Sequence, residues 1–449
     1  MKKRIAVGLI LILFLSSFSL AEETAKETEL LFMAKKAYED GFYEVALGML
    51  ERFQKDFPSS DKIGETRLLT GQSYFYQGRY LEALNTFEAL LADPQAVNFK
   101  DALYFWMAEL HFKGNNFDKA IVFYQKLIND FPQSSYLPAA YYSLGWAFSQ
   151  TGKYSQALGS FNSLLEKFPN EPQSKDAAFK IIECYYNLKE YAELKIKIKA
   201  VLKLYASDVL RLPYLYFYLA ESEYYLDNLN EAVKNYLKSA QAFKEDKAQA
   251  LAKLGLGWSY LKLKRYKEAE EAFADISQDS LDKKNLDILL LGQALLMSQS
   301  NRIYEAKKYY QKLIDVSRDP LMRLQAYIGK ADAFYNLAEY PQAVEVYKEG
   351  QEDMAKTGNQ AIATDRLMDK LRYNLGLAYL KQGEIKPGIA IFENIASRDV
   401  DLALKVGALC QIGDTYQETQ DYLKAEEEYG KILKQFPDSA FADYALYQI

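Results

Sequence analysis

A small residue that returns every 37 positions constrains the fold of this chain more than any other feature. Between residues 46 and 425, eight of the ten intervals are 37, one is 38 and one is 45. We call the members of this series reference residues: Ala46, Ala83, Ala120, Ala157, Leu194, Ala232, Ala269, Ala306, Ala343, Gly388 and Ala425. Such a period is typical of a solenoid, in which each copy buries its apolar face against the next. The spacing therefore predicts about eleven copies of one unit rather than several globular domains.

Two further series indicate that each copy contains two helices. The small position, twelve residues before the reference residue, is occupied by Ala34, Gly71, Ala108, Gly145, Ile182, Ala220, Gly257, Ala294, Ala331, Gly376 and Gly413. The ring position, four residues after it, is occupied by Leu50, Phe87, Tyr124, Phe161, Ile198, Tyr236, Phe273, Tyr310, Tyr347, Phe392 and Tyr429. Apolar residues recur around both series at the helical period. We expect the helices to approach closely at the small residues, with the large side chains filling the next gap.

Turn signals separate the helices. The second helix often ends in Phe-Pro, as at Phe131-Pro132, because proline has no N–H to continue a helix. Candidate N-caps of the next helix follow two such sites, at Ser59, Ser60 and Asp61 and at Ser134 and Ser135. Glycine can take the left-handed conformation that closes a helix, and it recurs between the two helices at Gly41, Gly78, Gly114, Gly152 and Gly383.

These residues resemble the tetratricopeptide repeat, whose usual length is 34. In the fourth copy, the family's signature spacings are met by Gly145, Phe148, Tyr154, Ala157, Phe161 and Pro169. The Phe-Pro-x-Ser connection is similar to that of bacterial envelope proteins, namely the periplasmic coordinator associated with the Tol–Pal system and the lipoprotein of the outer-membrane barrel-assembly machine. The resemblance implies an all-α, right-handed superhelical solenoid of about eleven helix-turn-helix hairpins.

The N-terminus has the pattern of a secretory signal. Lys2, Lys3 and Arg4 precede an apolar stretch over 5–15, and small residues at Ser19 and Ala21 mark a cleavage site. Residues 1–21 are therefore a predicted signal peptide, with an uncleaved membrane anchor as the alternative. The chain is expected to be periplasmic, without a membrane span after cleavage. Association with the outer membrane, or peripherally with a membrane complex, stays open.

The predicted organisation of the exported chain has three parts. Nine repeats occupy 22–349, an insertion occupies 350–366, and 367–449 hold two repeats plus an incomplete terminal helix. That last helix begins near Ser439 and leaves apolar residues such as Phe441 and Tyr444 open. We expect that either a partner covers this end or the chain is a truncated copy of a longer protein.

Charge and residue usage exclude several classes of function. The formal net charge is −6 with both signs interspersed, so there is no basic stripe for nucleic acid. The one histidine, His111, takes a position that is aromatic in other copies, which predicts packing and leaves no zinc site or catalytic triad. Cys184 and Cys410 lie too far apart along a solenoid to pair and are interpreted as buried hydrophobes. We predict no enzymatic activity and no cofactor.

The class of function that remains for such a chain is the binding of partner molecules. In this family the first helix of each repeat lines the concave groove, which implies that certain positions around each small residue face a partner. The candidates for partner binding are Trp146, Trp258, Tyr142, Phe105, Phe112, Tyr186 and Tyr225. Other copies carry polar residues where the two tryptophans lie, which indicates exposure: Gln72, Glu109, Glu183 and Asp332. The alternative is that these rings only pack between neighbouring repeats.

The sequence thus favours a non-enzymatic scaffold of the bacterial envelope that holds an extended or helical segment of another envelope protein. Assembly, division and transport complexes are the settings that we consider. A second candidate is a peptidoglycan- or carbohydrate-binding accessory, since tyrosine and tryptophan also stack on sugars. A third is a regulatory subunit of an envelope enzyme.

Overall fold

A computed structural model describes residues 24–363 and 365–449, and every regular element in these ranges is a helix. The predicted signal peptide lies outside the described residues. The first described helix, α1, covers residues 24–39. The α-helices that follow are α2 (Tyr43–Asp56), α3 (Ile63–Tyr76), α4 (Tyr80–Leu91), α5 (Lys100–Lys113), α6 (Phe117–Asp130), α7 (Leu137–Gln150), α8 (Tyr154–Lys167), α9 (Pro172–Asn187), α10 (Tyr191–Val201), α11 (Leu212–Tyr225), α12 (Leu229–Ala242), α13 (Asp246–Lys262), α14 (Tyr266–Ala274), α15 (Lys283–Gln299), α16 (Ile303–Val316), α17 (Pro320–Asn336), α18 (Tyr340–Lys356), α19 (Gln360–Ala363), α20 (Arg366–Gln382), α21 (Ile385–Ser397), α22 (Leu402–Glu418), α23 (Tyr422–Gln435) and α24 (Ala442–Gln448). Short 3-10 helices cover Pro94–Phe99 and Gln278–Ser280.

The chain divides into two compact units, the first ending at Lys203 and the second beginning at Leu204. In the described part of the first unit the helices form five hairpins, from α1–α2 to α9–α10. The second unit contains six, namely α11–α12, α13–α14, α15–α16, α17–α18, α20–α21 and α22–α23, followed by α24. The prediction of an all-α array with two helices per copy is confirmed.

One residue with left-handed backbone conformation closes the first helix of each hairpin. It lies five residues before the reference residue in every copy, at Gly41, Gly78, Asn115, Gly152, Lys189, Asp227, Lys264, Asn301, Ala338, Gly383 and Gln420. Four of the five predicted turn glycines are in this list. Gly114 is not, because its φ is −79° and the turn is made by Asn115 instead. Asparagine tolerates this conformation better than other residues that carry a Cβ.

The small and ring positions meet, as predicted, in the five hairpins whose small residue is glycine. A Cβ atom built on Gly145 would lie 2.6 Å from the fully buried ring of Phe161 on the next helix, so α7 can approach α8 only without a side chain there. In the second unit the ring of Phe273 also lies 2.8 Å from the corresponding atom of Gly292, on the first helix of the following hairpin. One ring therefore fills the space between its own hairpin and the next. It keeps the core between the two hairpins close-packed.

The serine after Phe-Pro ties the connection between repeats to the preceding hairpin. The hydroxyl of Ser134 donates to Asp101 at 2.7 Å, and that of Ser60 donates to Glu27 at 2.5 Å. The prediction that these residues are N-caps is wrong, because α3 and α7 begin three residues after Ser60 and Ser134, with Lys62 and Tyr136 at the cap positions and no side-chain cap. Each serine oxygen instead accepts from the backbone N–H two residues later, which orders the turn.

Two places interrupt the regular period. In the fifth copy the bulky Ile182 and Leu194 are both fully buried, and after α10 ends at Val201 no regular helix begins until Leu212. The division between the two units falls in this stretch. In the ninth copy α18 extends to Lys356, and the four-residue α19 follows before α20.

Candidate functional site

The position that directly follows each small residue decides whether the predicted tryptophans can meet a partner. We call it the plus-one position. It lies fifteen residues before the ring position, and in ten copies it is occupied by Gln72, Glu109, Trp146, Glu183, Glu221, Trp258, Leu295, Asp332, Leu377 and Asp414.

Acidic plus-one residues accept hydrogen bonds from buried tyrosines. The hydroxyl of Tyr124 donates to Glu109 at 2.5 Å, and that of Tyr429 donates to Asp414 at 2.6 Å. The equivalent bonds join Tyr236 to Glu221 and Tyr347 to Asp332. The interpretation that polar residues here indicate exposure is wrong for Gln72, which is only 5% exposed, whereas Glu109, Glu183 and Asp332 are half-buried. In these four copies the acid supplies the acceptor that a buried phenol needs, whereas Glu183 precedes Ile198 and pairs with Lys180 instead.

The two tryptophans occupy copies in which the ring position is phenylalanine, so no hydroxyl needs an acceptor. Each indole is instead covered in part by the residue 34 positions later, on the next hairpin. Gly292 lies against Trp258, whose indole nitrogen is buried and has no hydrogen-bond partner among the described residues. Over Trp146 lies Lys180, with its ammonium nitrogen 4.0 Å from the ring centroid. Both indoles are half-buried, and neither is a freely exposed ring.

Trp146 nevertheless lines an open pocket in the first unit, together with two other predicted residues. The cavity has a volume of about 400 Å³. It is formed where α5 turns into α6 and meets α7, and its lining consists of Phe112, Asn115, Phe117, Tyr142, Ser143, Trp146 and Gln150. The structure therefore brings together Phe112, Tyr142 and Trp146, which the sequence had placed on two different copies. We call this cavity the aromatic pocket.

The walls of the aromatic pocket are rings held at steep angles to one another. Phe112 and Phe117 pack edge to face, with centroids 5.3 Å apart and an interplanar angle of 74°. Tyr142 packs edge to face on the buried Phe161, 6.0 Å away. Each ring is therefore positioned by a neighbouring ring, an arrangement that aromatic pairs prefer.

The polar groups of the pocket are of two kinds. Ser143 is engaged, because its hydroxyl donates to Glu109 at 2.9 Å. Within the described residues, the side-chain amides of Asn115 and Gln150 and the indole N–H of Trp146 make no hydrogen bond. No charged side chain is part of the lining. The pocket thus presents rings and unengaged hydrogen-bonding groups without a net charge.

Four of the lining residues were not predicted from the sequence, and only one of these four belongs to a recurring sequence pattern. Phe117 belongs to the aromatic residues that follow the turn in most copies, a pattern that is explained by packing alone. Asn115, Ser143 and Gln150 carry no repeating pattern. Whether these three residues line the pocket depends on which part of one hairpin faces the first helix of the next hairpin.

The other predicted partner-binding residues lie outside the aromatic pocket. Phe105 is only 8% exposed and stacks on Tyr136, with centroids 4.8 Å apart, so the expectation that it faces a groove is wrong. Tyr186, on α9, is half-buried. In the second unit Trp258 is held as described above, whereas Tyr225 is 56% exposed and packs edge to face on Tyr224.

Residues with potential chemistry elsewhere serve packing. His111 stacks on Phe123 at 5.5 Å, and burial lowers its pKa, as expected for a packed ring. Cys184 and Cys410 are buried and unpaired, and burial raises the pKa of each thiol to about 11. In the described ranges, His, Cys, Asp and Glu side chains form no group of three that could hold a metal ion. No helix there combines the length and apolarity needed to cross a bilayer.

Comparison with protein families identifies the repeats. Models described as tetratricopeptide repeat match residues 101–134, 218–280 and 406–439. A model described as outer membrane lipoprotein matches residues 137–222, which include α7 and its two pocket rings.

The curated relatives are distant and much longer than this chain. Intraflagellar transport protein 88 homolog of Homo sapiens is 26% identical over 124 residues, which are 27% of this chain and 14% of that protein. RNA polymerase-associated protein CTR9 of Saccharomyces cerevisiae is 22% identical over 89% of this chain. The chain spans 39% of CTR9.

Solved structures of similar arrangement include the Cut9–Hcn1 hetero-tetramer of APC/C, with 13% identity, a TM-score of 0.37 and coverage of 94% of this chain and 96% of that one. A tetratricopeptide repeat protein from Parabacteroides merdae has 17% identity and a TM-score of 0.41 over 62% of this chain and 98% of its own. Likenesses of this size carry no inference about partners. The family models and the helix pairs together establish that both units of this chain carry tetratricopeptide repeats, which form scaffolds for protein–protein interaction.

Proposed function

We propose that this protein is a non-enzymatic scaffold of the bacterial cell envelope, and that it binds a segment of a partner protein in the aromatic pocket. The observation that carries the proposal is the convergence of Phe112, Tyr142 and Trp146 on one open cavity. Aromatic side chains that line a concave site contribute much of the binding energy at protein interfaces. In this proposal the remaining repeats hold the pocket and offer further surface.

The envelope setting rests on two independent features. The N-terminal sequence has the pattern of an export signal. The match to an outer membrane lipoprotein model covers 137–222 and therefore includes Tyr142 and Trp146. Both features favour a periplasmic scaffold whose binding helix belongs to the envelope-type part of the chain.

A crosslinking capture from bacterial envelope extract tests this function. The full chain is compared with a Tyr142→Ala, Trp146→Ala double variant after circular dichroism has shown equal helicity. Tyr304→Ala is the matched control, because Tyr304 is also aromatic, is 63% exposed and has a lysine 4.6 Å over its ring, yet lies outside the pocket. We expect one defined protein to be captured by the wild type and the control and lost from the double variant. Unchanged capture by the double variant would refute the pocket as the binding site.

A carbohydrate ligand is the second candidate, because unengaged amides beside aromatic rings also suit a sugar. Retention of the wild type on purified cell-wall sacculi, lost in the double variant but not in Tyr304→Ala, would support it. In that outcome the protein-scaffold function would be rejected for this pocket.

A further inference from the structure

We infer that the segment bound in the aromatic pocket is an uncharged, proline-rich peptide in the polyproline II conformation. The inference rests on the proposed function and names the chemistry of the partner. Three properties of the pocket lead to it, namely its hydrogen-bonding groups, its ring geometry and its charge.

The hydrogen-bonding groups discriminate between peptide conformations. Asn115, Gln150 and Trp146 place unengaged N–H groups at the pocket. An α-helical partner offers them few acceptors, because its carbonyl groups are bonded within the helix. A polyproline II segment has no internal hydrogen bonds, so every carbonyl oxygen is available. The pocket supplies the N–H donors that such a segment lacks.

The ring geometry suits proline. Phe112 and Phe117 meet at 74° and form an angular wall, and the rings of Tyr142 and Trp146 line the same cavity on α7. Compact proline rings that project from a polyproline II segment dock in grooves lined by aromatic side chains. The segment is already ordered before it binds, so little conformational entropy is lost on docking.

The charge of the site favours an uncharged segment over a strongly acidic or basic one. The pocket lining carries no ionisable group other than the phenol of Tyr142. The nearby cation Lys180 lies over Trp146 and is paired with Glu183 at 2.7 Å, and Lys153 is paired with Asp118 at 3.2 Å. Each of these lysines is balanced by a carboxylate, so the surroundings favour an uncharged segment over a charged one.

Binding of synthetic peptides to the purified full chain tests the inference. The probe is a blocked peptide of seven prolines, and the comparison is a blocked, uncharged alanine-rich peptide of about fifteen residues or more, the length that a helix needs in water. Binding is measured by calorimetry and by tryptophan fluorescence, with Trp146→Phe used to assign the signal among the three tryptophans. We expect the proline peptide to bind at least about tenfold more tightly than the helical one.

Two single variants test the contribution of the Asn115 amide to binding. Asn115→Gly removes the amide and keeps the left-handed turn, because glycine adopts a φ of 57° without strain. Asn301→Gly is the matched control at the same turn position in the second unit, with a φ of 61°. We expect Asn115→Gly to weaken binding of the proline peptide severalfold and Asn301→Gly to leave it unchanged.

The outcomes distinguish this inference from the proposed function. Equal binding of the two peptides, or no effect of Asn115→Gly, would overturn the inference. If an envelope protein is still captured through Tyr142 and Trp146 in that case, the proposed function stands with a different partner segment. Binding of soluble sacculus fragments at Trp146, without binding of the proline peptide, would reject both.

Discussion

The hydroxyl of Tyr124 donates a 2.5 Å hydrogen bond to Glu109, and the identity of the residue fifteen positions earlier follows the identity of the ring. Four of the five tyrosines at the ring position have an acid there, whereas the four phenylalanines have glutamine, tryptophan or leucine. The exception, Tyr310, follows Leu295, and its hydroxyl lies 3.5 Å from Ser298. In the four copies that have both, the acid is the acceptor for the buried phenol.

This relationship predicts a compensating pair of substitutions. Tyr124→Phe removes a buried hydrogen bond and should lower the free energy of unfolding by about 1–2 kcal/mol. Adding Glu109→Gln reproduces the Phe87–Gln72 combination of the second copy and should recover part of the loss. Urea unfolding followed by circular dichroism measures both changes. A double variant that is as unstable as the sum of the two single variants would contradict the pairing.

Close approach of helices predicts opposite effects for two glycines of one hairpin. A Cβ at Gly145 would lie 2.6 Å from Phe161, so Gly145→Ala should destabilise the first unit by about 1–3 kcal/mol. A Cβ at Gly159, on α8, would meet no atom within 4 Å. Gly159→Ala should therefore stabilise the helix by about 0.5–1 kcal/mol. Urea midpoints that fall for both variants would show that the space around Gly159 is not free.

The left-handed turn residues predict a stabilising substitution. Ala338 has a φ of 57°, which is unfavourable for a residue with a Cβ. Ala338→Gly should raise the stability of the second unit by about 1 kcal/mol, and Gly152→Ala should lower that of the first by a similar amount. Thermal melts of both variants give the test. A melting temperature that does not rise for Ala338→Gly would mean that the turn relaxes in solution.

The buried thiols predict loss of stability at alkaline pH. Burial raises the pKa of Cys184 and Cys410 to about 11, from 9.0 for an exposed thiol. Between these values the unfolded chain releases protons that the folded chain keeps, so their stabilising contribution is complete below pH 9 and is lost as pH rises towards 11. The buried tyrosines act in the same direction, because the pKa of each is raised as well.

Urea midpoints measured from about pH 8 to 10.5 check this direction. A double variant with Cys184→Ala and Cys410→Ala should show a shallower decline than the wild type. At about pH 8 neither thiol should react with a disulfide reagent until urea unfolds the chain. Rapid labelling of the native protein would contradict the buried positions of the two sulfur atoms.

The repeat could be predicted from the sequence because its contacts are periodic. The small position and the ring position, such as Gly145 and Phe161, are sixteen residues apart in every well-formed copy. The same steric requirement therefore recurs along the sequence. The fate of the plus-one residues could not be predicted in the same way. The polarity of Glu109 is equally consistent with exposure and with a buried hydrogen bond, and only the position of the Tyr124 hydroxyl decides between them.

The aromatic pocket was predicted only in part, for a related reason. Tyr142 and Trp146 are on one face of α7 and could be grouped by the helical period. Asn115 and Phe117 reach the same cavity from the turn of the preceding hairpin, which depends on how two hairpins stack. Phe105 was wrongly included because its ring finds Tyr136 in the connection between repeats.

The hydrogen bond from Asn374 to Asp332 spans 42 positions, whereas its counterpart from Ser143 to Glu109 spans 34. The eight additional residues thus lie between two hairpins that meet as though they were consecutive. For an engineer, the exposed turn at Gly358 is accordingly a place to graft a fluorescent protein or an affinity tag. Because α17 and α20 pack directly against each other, the inserted protein would not disturb the packing between the repeats.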